Sequence, residues 1–146
     1  MRPLSLWLRV AIYGGCGALW LTGVVIFALK HYFQAATEFG PVPHPWQPKL
    51  LALHGLIAVP VLYVFGWISA RHVGEAWRRG GNRTSGLSLL ALITVLAFTG
   101  FAGYYLIEDT TRAANGWIHS LVGLALIAPG LSHWFAGARL RRQRVQ

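Results

Sequence analysis

The sequence predicts an all-α integral membrane protein, a four-helix bundle with the N-terminus and C-terminus both cytoplasmic. Three observations predict it. The composition is 55% hydrophobic and only 12% charged, four uncharged apolar runs each come close to the roughly 20 residues that cross a bilayer, and the cations gather in alternate connections. A soluble domain of 146 residues has too little interior to hide so much apolar surface. A lipid solvent removes that need.

The first run is Val10 to Leu29, the second Leu50 to Ala70, the third Gly86 to Ile107 and the fourth Gly116 to Ala138. Backbone amides in lipid must be satisfied within the segment, so each run is expected to be helical. Strand alternation is absent, no internal repeat stands out, and residues 1–146 are expected to form one domain. The first run exceeds a signal-peptide core and is followed by no A-x-A site, so it reads as a mature helix. The connections differ. Residues 30–49 hold Gly40, Pro41, Pro43, Pro45 and Pro48 and cannot be helical throughout. Residues 71–85 are arginine-rich around Gly80-Gly81-Asn82, and residues 108–115 carry Glu108, Asp109 and Arg112.

The net charge of +9 does not mark a nucleic-acid binder, because the arginines sit in short blocks between apolar runs. Arg2, Arg9, Arg71, Arg78, Arg79, Arg83, Arg139, Arg141, Arg142 and Arg144 share one side of the expected bundle; Lys30, Lys49 and Arg112 lie on the other, with Glu38, Glu108 and Asp109. The positive-inside rule places the first group in the cytoplasm. Trp46, Tyr104, Tyr105 and Trp117 then fall at the outer interface, and Trp7, Trp67, Trp77 and Trp134 at the inner one. The single Cys16 excludes an intrachain disulfide, a four-cysteine iron–sulfur site and a c-type haem attachment.

Of six histidines, His31 and His44 read as interfacial decoration, whereas His54, His72, His119 and His133 form a pattern. Ionisable residues inside a span are costly and by default mark function. The step from His54 to His72 is 18 residues, five full helical turns, and that from His119 to His133 is 14 residues, about 40° short of four turns. Each span therefore presents both its histidines to nearly one direction. Since the second and fourth spans run the same way, His54 matches His119 in depth and His72 matches His133. Paired imidazoles at two levels suit two b-type haems, since neutral imidazole is an axial ligand for haem iron. The two steps differ by four residues, about 6 Å of rise, which makes His72 the least secure of the four. Should it not ligate, one haem is expected, between His54 and His119. Gly55, Gly66, Gly100, Gly103, Gly123 and Gly130 admit a flat macrocycle, although for any single one close helix packing is the favoured reading. Arg71 and Arg112 are candidate partners for haem propionates, though topology and anionic lipid account for most of the arginines.

The four-span plan, the stretch Leu53-His54-Gly55, the H-x13-H step from His119 to His133 and the third-span ending Thr99-Gly100-Phe101-Ala102-Gly103-Tyr104-Tyr105 resemble the small bacterial membrane cytochrome b subunits of nickel–iron hydrogenases and formate dehydrogenases. That resemblance implies a bacterial inner-membrane electron-transfer subunit of an oxidoreductase complex, passing electrons between a redox partner protein and the quinone pool. The chain departs from the formate dehydrogenase type, which takes an inner ligand from its first span, where this chain has no histidine. His72 must stand in. No motif for hydride transfer, phosphate binding or nucleophilic catalysis is present, so turnover is expected to belong to a larger complex. Two other readings stay open: a haem-free anchoring or assembly subunit, and a histidine-based proton or ion transporter, which would be expected to carry intramembrane Asp or Glu.

Overall fold

Four helical stretches are long and apolar enough to cross a membrane: Leu6–Tyr32, Gln47–Ala70, Arg83–Ala102 and Asp109–Ala136. They belong to a computed structural model that describes residues 6–78 and 83–143. The helices are α1 (Leu6–Tyr32), α2 (Gln47–Arg78), α3 (Arg83–Ala102), α4 (Asp109–Ala125) and α5 (Ile127–Gln143), with two short strands, β1 (Ala35–Thr37) and β2 (Gly40–Val42), between α1 and α2. The chain divides into two compact units, Met1–Gly66 and Trp67–Gln146.

In the first unit, α1 runs past its apolar stretch to end on Lys30 and His31 in its last turn, where cations suit the negative end of the helix dipole. The proline-rich connection then makes an antiparallel hairpin in which Ala35 faces Val42, Ala36 faces Pro41 and Thr37 faces Gly40. Strand pairing was not expected from the sequence. The runs are too short to show alternation. The hairpin turns through Gly40 at φ 107°, a conformation that favours glycine, and the Thr37 hydroxyl donates to the Gly40 carbonyl at 2.6 Å. The following turn is local too: the Trp46 amide donates to His44 Nδ1 at 3.2 Å, and the Lys49 ammonium lies 5.0 Å from the Trp46 ring centroid. α2 begins next, with Pro48 in its first turn, where a missing amide proton costs nothing. Pro60 lies in its interior and leaves the Leu56 carbonyl without its helical donor.

In the second unit, α3 stops at Ala102 and not at Ile107, where the apolar run ends. At 20 residues it already covers about 30 Å, the thickness of the hydrocarbon. Tight turns follow, with Tyr104 and Tyr105 amides donating to the Phe101 and Ala102 carbonyls. α4 starts seven residues before the expected Gly116, because Glu108 caps it by accepting from the Thr110 and Thr111 amides. The expected fourth span is two helices end to end. Leu126 separates α4 from α5 yet keeps right-handed helical torsions, and its amide still donates to the Val122 carbonyl at 3.0 Å. The interruption traces to Pro129, which cannot donate to Ala125.

Among the described residues none is fully buried, and Leu56, Val59 and Tyr63 of α2 are at least 70% exposed. Exposed apolar side chains of that size, on helices long enough to cross a membrane, suit an apolar solvent.

α1 packs tightly on α2 at Gly15, where an added Cβ would come 2.6 Å from Val61 Cγ2. Gly15→Ala is therefore expected to destabilise the chain in detergent by about 1–3 kcal/mol. Gly17→Ala, with nothing within 4 Å, is expected to leave the thermal midpoint unchanged or slightly raised. Equal midpoints for the two variants would contradict this packing.

Candidate functional site

Three histidines, each on a different helix pair, are held in the same way. In the first unit, His54 of α2 meets Thr22 of α1, with Nδ1 and Oγ1 2.8 Å apart. In the second, His119 of α4 meets Thr99 of α3 at 2.8 Å, and His133 of α5 meets Ser85 of α3 at 3.0 Å. A glycine follows each hydroxyl residue: Gly23, Gly100 and Gly86. A Cβ added to those glycines would approach the imidazole Cε1 at 3.5 Å for Gly23 and His54, 3.3 Å for Gly100 and His119, and 3.7 Å for Gly86 and His133. Each ring thus lies over a bare α-carbon while the preceding hydroxyl takes its Nδ1. Gly100 is the tightest of the three; a methyl there would force the His119 ring to give way.

The hydroxyl bonds settle where two of the imidazole protons sit. Thr22 Oγ1 donates to the Ala18 carbonyl at 2.8 Å, with the Leu19 carbonyl at 3.1 Å, and Thr99 Oγ1 donates to Val95 at 2.7 Å, with Leu96 at 3.3 Å. A hydroxyl has one proton, and a carbonyl can only accept. Both threonines therefore receive a hydrogen bond from the imidazole. In the neutral ring, His54 and His119 then keep their proton on Nδ1 and a lone pair on Nε2. His44 is the reverse. Its Nδ1 accepts the Trp46 amide, so the neutral ring keeps its proton on Nε2.

The fourteen-residue step now has a structural counterpart. Ser85 and Thr99 are separated on α3 by the same 14 residues as His119 and His133 on the span facing them. Two antiparallel helices with equal steps, each about 21 Å of rise, bring one hydroxyl to one imidazole near each end. Asn115 adds a second tie at the His119 end, its side-chain amide donating to the Thr99 carbonyl at 2.8 Å.

The remaining sequence-predicted residues fall as follows. The side chains of His72 and Arg71 lie outside the described residues. Gly66 has open space beside its α-carbon, whereas Gly123 lies against Leu96, whose Cδ2 would be 3.7 Å from an added Cβ. Arg112 forms an ion pair with Asp109, three residues before it on the same helix. His31 packs on Phe27, with ring centroids 4.6 Å apart. Sequence reasoning missed Thr22, Ser85, Asn115, Gly23 and the reason for Thr99. The signal was present as the recurring hydroxyl–glycine dipeptides Thr22-Gly23, Ser85-Gly86 and Thr99-Gly100.

Among the described residues no group of three or more His, Cys, Asp or Glu side chains gathers as a metal site. Haem makes no such demand, because its macrocycle supplies four of the six iron ligands. Comparison with known protein families, with curated proteins and with solved structures finds no match to this chain.

The start of α4 places Asn115 and His119, and it depends on the Glu108 carboxylate. The Thr110 and Thr111 side chains, then the Thr111 amide, hold that carboxyl below its ordinary range. A lowered carboxylate value contributes stability that is present above the ordinary value and lost as pH falls through the lowered one. Amide protection at Thr110 and Thr111, taken relative to the intrinsic exchange rate, should fall on acidification in the native chain, and Glu108→Gln should flatten that dependence. An identical acid profile in both would remove the carboxylate from the cap.

Proposed function

We propose that the chain is a membrane electron-transfer protein that carries b-type haem between histidine ligands. One observation carries this reading: His54 and His119 are held by threonines in the tautomer whose Nε2 bears a lone pair, and the same cradle recurs at His133. An axial imidazole binds iron through one ring nitrogen and donates the other N–H to a protein acceptor. The donor set therefore fits the group, and so do the glycines, which let each ring lie close to the neighbouring backbone.

The sequence pairs His54 with His119 toward the outer face and His72 with His133 toward the inner, for two haems; one haem is the outcome if His72 does not ligate. Bound haem supplies a one-electron couple. The chain's own residues hold the rings, orient their lone pairs and surround the site with apolar side chains that limit water, which together tune the potential. Electrons would pass between a redox partner protein and membrane quinone. The arginine blocks support an inner-membrane placement with both termini cytoplasmic. Arg112, already paired with Asp109, adds no support for a propionate contact.

A proton relay is the weaker reading. The Nδ1 proton of His54 or His119 leads to a threonine and then to a helix carbonyl, which cannot take a proton onward. A haem-free anchor does not require ring nitrogens of one set tautomer.

The purified chain, reduced with dithionite, is expected to show b-type absorption bands, and His54→Ala or His119→Ala to remove about half of a two-haem complement. Loss on changing His72 gives two sites; no loss leaves one. Reduced protein without b-type bands would overturn the proposal. Reporter fusions at both ends and in the 71–85 connection are expected to read cytoplasmic. A periplasmic C-terminus would invert the inner and outer assignments.

A further inference from the structure

The hydroxyl partners do more than fill space beside the rings. Thr22 and Thr99 each stand in a chain of three groups: imidazole Nδ1–H to Oγ1, and Oγ1–H to a carbonyl of the threonine's own helix. Rotating the hydroxyl to donate to the imidazole would abandon the carbonyl bond, and flipping the imidazole would leave the hydroxyl oxygen without its incoming proton. In an apolar surrounding either change leaves a polar atom unsatisfied. The adjacent Gly23 and Gly100 leave room for the ring at the level where the hydroxyl reaches Nδ1. At Thr99 the segment is held further, because Asn115 grips its carbonyl one turn before His119 on the same helix face.

We infer that Thr22 and Thr99 are positioning residues for the ligand imidazoles, fixing the tautomer that turns Nε2 toward iron and lowering the reduction potential of the haem. This rests on the haem reading above. Donation from Nδ1–H makes the ring a more basic ligand. A more basic ligand favours ferric over ferrous iron. Removing the acceptor therefore moves the potential upward, whereas a residue that merely fills space leaves it where it was.

Thr94 of α3 is the natural control. Its hydroxyl bonds the Leu90 carbonyl at 2.8 Å, the same i−4 contact that Thr99 makes to Val95. Two measurements on Thr99→Val, Thr99→Ser, Thr22→Val and Thr94→Val test the inference. The first is the potentiometric titration of the haem-loaded chain. Thr99→Val and Thr22→Val are each expected to shift the ferric-to-ferrous ratio at a set potential by up to about tenfold toward ferrous, some 59 mV for one electron. Thr99→Ser, which keeps the hydroxyl, is expected to restore the native potential, and Thr94→Val to leave it unchanged. The second is nitrogen-15 NMR of histidine-labelled, haem-free chain. It should find the proton of His119 on Nδ1 in the native chain and in Thr99→Ser, and redistributed in Thr99→Val. If Thr99→Val alters neither tautomer nor potential, or if Thr94→Val alters the potential as much, the inference is overturned. A native chain that binds no haem sinks the functional reading instead, while the tautomer measurement still decides the positioning role. Should Thr99→Val fail to accumulate, Thr22→Val carries the same two readouts in the other unit.

Discussion

A threonine inside an apolar helix has one proton and a carbonyl four residues back that will take it. That small fact organises the candidate site. Once Thr22 and Thr99 have given their protons to Ala18 and Val95, their oxygens can only accept, and the imidazoles opposite must donate. The choice of tautomer is made by the helix backbone and handed across one side chain. In water such a chain would exchange with solvent. In an apolar medium the alternative arrangement would cost an unsatisfied polar group.

The same restriction gives the histidine spacing a meaning that the sequence alone did not. Fourteen residues are two heptads, the repeat that keeps one face against a partner when two helices coil gently around each other. Read on one span, His119 and His133 fall about 40° out of line. Read against α3, the lag disappears as a problem, since Ser85 and Thr99 carry the same lag in the opposite direction. The break at Leu126 lies between the two histidines and does not spoil the match, because the backbone there stays helical on both sides of the missing Pro129 donor.

Much of the fold was legible because a bilayer allows few solutions: long uncharged runs must be helices, and their number and rough limits follow. The errors came where hydropathy and structure part company. Tyr104, Tyr105, Leu106 and Ile107 are apolar enough to extend the third run, yet α3 ends at Ala102 and the chain turns there. Thr110 to Asn115 are polar enough to read as loop, yet Glu108 starts a helix in front of them. The histidines could be singled out because charge-bearing side chains are conspicuous in apolar runs. Their partners could not, since a serine or threonine in such a run satisfies itself on its own backbone and looks inert.

The described histidines of this chain make the general point that residue type decides little and the partner of one ring nitrogen decides much. His44 receives an amide proton at Nδ1, which keeps its other proton on Nε2 and makes that nitrogen a donor. His31 spends its face on Phe27. His54 and His119 give up the Nδ1 proton to an oxygen that is already committed, and so present a lone pair at the opposite edge of the ring. A donor edge suits an interfacial turn and a lone-pair edge suits a metal. The threonine–glycine dipeptide that accompanies His54 and His119 is therefore a more discriminating mark than the histidines themselves: it bears, in two residues of a different helix, on which way the neutral ring is wired.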